Sequence, residues 1–251
     1  AVNTNTAAGV VVANTNLVVN AGVTTASSGV VTFLQSGTTT IAAAGDISSD
    51  GAVTITSSGG TTTSGDITTT VDAIQFASAT TFGGAVALVS ANGAVTFSST
   101  LNGAQALTIT AGTGLVTFTG AVGGTTRLGT LNVVSAGNVT AGALTLAAFD
   151  QDAGTGTTTF GGAVNTNTAA GVVVANTNLA VNAAVTTTSS GVVTFTQSGT
   201  TTIAAAGDIT ADGAVTITST GGTTTSGDIT TTSDAIQFAS ATTFGGAVAL
   251  V

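Results

Sequence analysis

The five residues Gly93-Ala94-Val95-Thr96-Phe97 constrain this chain more than any other stretch, because near copies punctuate its whole length. Gly29-Val30-Val31-Thr32-Phe33, Gly114-Leu115-Val116-Thr117-Phe118 and Gly191-Val192-Val193-Thr194-Phe195 repeat the pentad closely. Gly51-Ala52-Val53-Thr54-Ile55 and Gly213-Ala214-Val215-Thr216-Ile217 repeat it with Ile in the last place. In a strand, residues two apart share a face, so Val and Phe point together while the Thr between them points the other way. A helix is excluded on two grounds. Thr, Val and Gly are poor helix formers, and no 3.6-residue period exists.

The pentads lie inside a second, longer repetition. Residues 1–89 recur as residues 163–251, an offset of 162, with eight differences: Val18/Ala180, Gly22/Ala184, Ala26/Thr188, Leu34/Thr196, Ser48/Thr210, Ser49/Ala211, Ser58/Thr220 and Val71/Ser233. Most exchange small or β-favouring residues, which one backbone tolerates. Aligning the Val of each pentad gives the column Val11, Val31, Val53, Ile74, Val95, Val116, Val139, Thr158, Val173, Val193, Val215, Ile236. Its steps run from 19 to 23 residues, with a single short step of 15 between Thr158 and Val173. This alignment assigns eight turns to each long repeat. Two residues on, the column Ala13, Phe33, Ile55, Phe76, Phe97, Phe118, Ala141, Phe160, Ala175, Phe195, Ile217, Phe238 holds seven of the ten Phe.

Each turn divides into three short strands. Between Gly29 and Asp50 they are Val30–Phe33, Thr38–Ala42 and Asp46–Ser48, parted by Gln35-Ser36-Gly37 and Ala44-Gly45. Small and Gly-rich corners suit tight bends. The absence of Pro suits a backbone whose every N–H bonds to a neighbouring turn. The expected fold is all-β: a parallel β-helix (β-solenoid) of 20–22 residues and three strands per turn. The usual hand of parallel crossovers makes it right-handed. The expected organisation is one continuous domain over 1–251, with a first copy at 1–162 and a partial second at 163–251. An interior of Val, Ile, Leu, Ala and Phe and an exterior of Thr, Ser, Asn and Ala follow. Because the chain starts without Met and stops within a motif, it reads as a piece of a longer array.

Composition narrows function mainly by exclusion. There are 251 residues, one basic (Arg127) and ten acidic, all Asp, for a net charge of −9. A single cation leaves phosphates unneutralised, which argues against nucleic acid. Mean hydropathy is +0.59, yet no apolar run approaches the ~18 residues of a spanning helix. A membrane barrel would carry aromatic girdles, and Tyr and Trp are absent. No Cys or His is present, so disulfides and thiolate or imidazole metal sites are excluded.

The few carboxylates are the candidate site residues. Asp50 and Asp72 close successive turns, and Asp212 and Asp234 repeat the pair. Stacked one strand spacing apart, such carboxylates repel unless a cation sits between them, which makes the four candidate calcium ligands. The competing reading is a set of solvated corners in which each Asp bonds nearby backbone. No other cofactor is expected. Asp150 and Asp152 invite comparison with polysaccharide-cleaving β-helices, but no partner group accompanies them in sequence, and no enzymatic activity is expected. The runs Thr38–Thr40, Thr61–Thr63 and Thr68–Thr70 raise ice binding, against which Ala79-Thr80-Thr81-Phe82 breaks the ladder. Asn138-Val139-Thr140 matches a glycosylation sequon placed within a strand.

At Thr80-Thr81-Phe82-Gly83-Gly84-Ala85-Val86 and Gly93–Phe97 the chain resembles bacterial large surface exoproteins, the filamentous-haemagglutinin-like adhesins and autotransporter passengers. The resemblance implies a secreted, cell-surface β-helix fibre working in adhesion or as a coat. The resulting expectation is an extracellular structural filament whose partners are copies of itself, joined end to end or laterally. The alternative is an adhesin stalk presenting a tip to surface glycans or host cells.

Overall fold

The structure, a computed structural model, describes residues 1–251. It contains strands and no helix, and every strand pair is parallel. Twelve turns stack, each contributing a segment to three faces, so the chain is a β-solenoid. Face 1 carries twelve strands without a break, from Val10–Asn14 through Val31–Gln35, Val53–Ser57 and Ile74–Phe76 to Thr242–Phe244. Face 2 begins with Leu17–Val19, Thr39–Ile41, Thr61–Thr63, Thr80–Phe82 and Leu101–Asn102, passes through a bridge at Val122, and continues from Leu144. Face 3 begins with Val2–Thr4, Val23–Thr25, Ile47–Ser49 and Ile67–Thr69. The extra residues of the sixth turn are absorbed around Gly123–Arg127 and by a register shift at Ile109/Thr110.

Alternation decides what is inside. Across face 1, Val31, Val53, Ile74, Val95, Val116 and Val139 stack in register and are buried. One position away, Thr32, Thr54, Gln75, Thr96 and Thr117 form an outer file. Two positions away, Phe76, Phe97 and Phe118 lie ring on ring, with centroids 4.9 and 5.3 Å apart and planes within 6°. Such offset stacks contribute about 0.5–1.5 kcal/mol per pair beyond burial. Forty-seven buried residues form one continuous apolar cluster along the axis.

Three details depart from the sequence reading. The first strand pairs Val10, not Val11, with Val31, and Val12 with Phe33, so Val11 and Ala13 face outward. The same holds for Val172 and Val174 against Val173 and Ala175.

The second departure concerns the copies. Thr158 does not stack on Val173; it pairs with Leu179 on face 1. Val173 pairs instead with Asp150 on face 3. The 15-residue step therefore does not exist, and one long repeat spans seven and two-thirds turns, not eight. Pentads that occupy face 1 in the first copy occupy face 3 in the second. The strand Leu144–Gln151 makes the transfer, pairing Val164–Thr166 through its first half and Val172–Asn176 through its second.

Third, the interior is not wholly apolar. Gln35, Thr39 and Ser57 are buried at the corner between faces 1 and 2. Thr39 Oγ1 donates to Gln35 Oε1 at 2.8 Å and shares a hydrogen bond with Ser57 Oγ at 2.6 Å. Gln35 Nε2 donates to the Val12 carbonyl of the turn before, at 2.9 Å. These bonds satisfy groups whose burial would otherwise cost about 1–3 kcal/mol each. Gln197, Thr201 and Ser219 rebuild the ladder in the second copy.

Candidate functional site

The corners hold most of the polar chemistry, and most of it is spent on joining turns. Asp46 Oδ1 accepts the backbone N–H of Asp66 at 2.9 Å, and Asp66 Oδ1 accepts that of Ala87 at 2.8 Å. Asp208 and Asp228 do the same for Asp228 and Ala249. Asn16, Asn92 and Asn138 accept from Thr38, Thr113 and Thr157 in the same upward sense. Each side chain thus takes up a backbone donor where the chain turns and the strand ladder lapses.

Asp50 joins three turns. Its Oδ2 accepts the Ser28 N–H of the turn before at 2.6 Å, and its Oδ1 accepts the Thr70 hydroxyl of the turn after at 3.1 Å. The Ser28 N–H first, and the Thr70 hydroxyl second, hold its carboxyl below the usual carboxylate range. Asp212 is held down likewise by Ser190 and Thr232. Ser28 lies beside Ser27 in a turn where both have left-handed backbone, φ 59° and 56°, and Ser189 and Ser190 repeat this. Left-handed backbone at a non-Gly residue costs about 1–2 kcal/mol, so the aspartate's bond to Ser28 helps hold a strained corner.

Register places the calcium candidates differently from a simple stack. Thr69 pairs with Ser49, so the residue above Asp50 is Thr70, and Asp72 follows two residues later. Asp72 contributes its backbone carbonyl, which accepts the Thr69 hydroxyl at 2.6 Å and the Ser90 hydroxyl at 3.0 Å. At Asp234 the carbonyl accepts Thr231 Oγ1 at 2.6 Å. No three acidic side chains come together anywhere in the chain.

The remaining sequence candidates separate in space. Asp150 faces outward on face 3 between Asn132 and Val173, and its carboxyl is pushed up by burial and then by Asp152. Arg127 lies along face 2, donating to the Leu146 carbonyl at 2.6 Å, the Asn165 carbonyl at 3.0 Å and Asn165 Oδ1 at 2.8 Å. It ties consecutive turns together. Val139 of the sequon is buried and the Asn138 amide oxygen is engaged by Thr157 N–H at 2.6 Å.

A groove that sequence reasoning missed runs over Thr186–Thr188, Thr210–Asp212 and Thr230–Thr232. Threonine side chains, with Ala211 and Asp212 among them, line one margin of face 2, an alignment visible only once the register is known, and the hydroxyls of Thr187, Thr188, Thr231 and Thr232 are engaged within the protein. No protein family model matches the chain, and neither the curated proteins nor the solved structures contain a match to it.

Proposed function

We propose that the chain is a structural protein, a segment of an extracellular or cell-surface β-solenoid fibre that associates with copies of itself. One observation carries this reading. The second copy docks on the first through Phe149↔Val172, Asp150↔Val173 and Gln151↔Val174, a ladder of the same kind as any other two turns make. The last strands of one copy thus offer the ladder on which the next copy begins, which supports a reading in which copies stack on copies.

The polar side chains support the same reading. Asp46, Asp50 and Asp66, the corner asparagines, Gln35 and the one arginine bond to neighbouring turns, which suits a structural rod. The proposed partners are further copies of the chain, with no cofactor in the repeat itself. Negative-stain imaging of the purified chain tests the proposal. Straight polymers of indefinite length are expected; discrete rods that never join, at any concentration, would refute it.

A further inference from the structure

We infer that face 1 is the surface through which two copies of the chain pair side by side, an inference that rests on the self-associating fibre reading. Lateral approach is an electrostatic problem for this molecule, since it carries −9 with a single cation. The aspartates are not spread evenly. In the first copy Asp46 and Asp66 border one margin of face 3, and Asp50 and Asp72 border the other. In the second copy the one-third turn moves the same residues to face 2, with Asp208 and Asp228 on one margin and Asp212 and Asp234 on the other. Asp150 points outward from face 3 itself, and Arg127 lies along face 2. The twelve strands of face 1 contain no charged residue, and no turn borders that face with Asp on both margins. Two rods meeting through face 1 keep most carboxylates apart; through either other face they set Asp rows against Asp rows.

Face 1 also offers something to bury. Leu34 and Leu115 project from it at 53% and 50% exposure, among the few large apolar side chains left in water away from the end turns, and Val11 adds a third in the first turn at 64%. Between them runs the file Thr32, Thr54, Gln75, Thr96, Thr117, Thr140 and Thr159, six short side chains and one longer amide. Twelve strands about 4.8 Å apart, three to five residues and so on average about 12 Å long, give roughly 700 Å², close to the ~800 Å² that one partner contributes to a stable protein interface. The occupant is a second copy, since its own face 1 has the same length and neutrality.

The double variant Thr96→Glu/Thr117→Glu puts charge at the middle of face 1, on side chains that already point outward. Thr68→Glu/Thr108→Glu on face 3 adds the same charge elsewhere. Sedimentation of the whole chain over a concentration series is expected to show lateral pairs for the parent, strengthened by salt as the remaining Asp are screened. The face 1 variant should pair at least about tenfold more weakly, as like charges meet across the contact. The face 3 variant should pair like the parent. Mixing the face 1 Glu variant with Thr96→Lys/Thr117→Lys should restore pairing, and circular dichroism checks that all four remain folded.

A face 1 Glu variant that pairs like the parent, or a face 3 variant that loses pairing equally, overturns the assignment. So does face-1-dependent adsorption to ice or to a crystalline glycan without any pairing of rods. Parent filaments one rod wide at every concentration overturn the lateral face while leaving the fibre reading intact. Neither polymers nor pairs would remove both.

Discussion

Residues 1–89 and 163–251 are the same sequence at all but eight positions, folded once at each end of one rod. Their internal bonds agree closely. Gln35 and Gln197 reach the carbonyls of Val12 and Val174 at 2.9 Å, and Asp50 and Asp212 accept from Ser28 and Ser190 at 2.6 Å. Their burial does not agree. Val10 and Val12 are half-buried whereas Val172 and Val174 are buried; Ile74 and Phe76 are buried whereas Ile236 and Phe238 are half-buried. The Asn14 side chain bonds only to Gln35, but that of Asn176 also reaches Thr158 Oγ1 and the Asn178 carbonyl. What differs is the turn above or below. The local sequence makes a strand and its corner, and a neighbouring turn makes a core.

That contrast is best broken with paired substitutions. The largest effect belongs to Phe82→Asp against Phe244→Asp, counterparts that are 2% and 50% exposed. An unpaired carboxylate forced into the interior shifts its pKa or opens the structure, so Phe82→Asp should cost upward of about 4 kcal/mol in urea denaturation. Phe244→Asp should cost less than about 1 kcal/mol. Equal costs would mean that sequence, not neighbours, sets the environment.

Phe76→Ala against Phe238→Ala comes next. The buried Phe76 stacks on Phe97 and should lose about 3–5 kcal/mol, while Phe238 should lose less than half as much. Amide hydrogen exchange resolves the two because turns at the ends of a repeat array open locally.

Gln35→Leu and Gln197→Leu serve as the matched control, since both glutamines are buried with the same partners. Each should cost about 1–3 kcal/mol by stranding a threonine hydroxyl, and the two values should agree within error.

Acid titration separates carboxylates by sign. Asp50 and Asp212 have folded pKa values below the unfolded one. Their stabilisation is complete above the ordinary carboxylate range and is lost as pH falls through their depressed values. Asp150 is raised, so its protonation on acidification favours the folded state and opposes that loss. Asp50→Asn and Asp212→Asn should each flatten the acid limb of a melting-against-pH curve, and Asp150→Asn should steepen it. A curve unchanged by either corner variant would remove the cross-turn role of those carboxylates.

The smallest effect is Ser28→Gly against Ser190→Gly. Relief of left-handed strain and loss of backbone restriction oppose each other, leaving each change within about 1 kcal/mol.

Much of the architecture was legible because burial alternates with period two and the inward Phe return about every 21 residues. The β-solenoid, its three strands per turn and its parallel pairing follow from that rhythm. The phase was hidden where that rhythm lapses. Val10-Val11-Val12 is apolar throughout, so alternation cannot say which members point inward; only pairing with Thr32 and Phe33 does.

The one-third turn between copies was invisible for a different reason. It depends on which strand Leu144–Gln151 hands to which face, and both faces accept Val-rich strands equally well. The buried Gln, Thr and Ser ladder was missed because hydroxyls are close in size to methyl groups, and their partners lie across a corner, four residues away, or on the next turn, 18 residues away. Of the candidate site, the aspartates were identifiable, but their bonding partners required the register: Asp50 meets Ser28 and Thr70, not Asp72.

Seven and two-thirds turns per repeat also bears on mechanics. Any imbalance among three unequal walls, one of stacked phenylalanines and another of threonines, would curve a rod steadily toward its shorter wall. Because the second copy carries the same walls about a third of a circle further round, any such curvature would be directed elsewhere and would partly cancel the first. Repetition with a fractional remainder is thus a way for an asymmetric module to build a straight beam of similar stiffness in every direction.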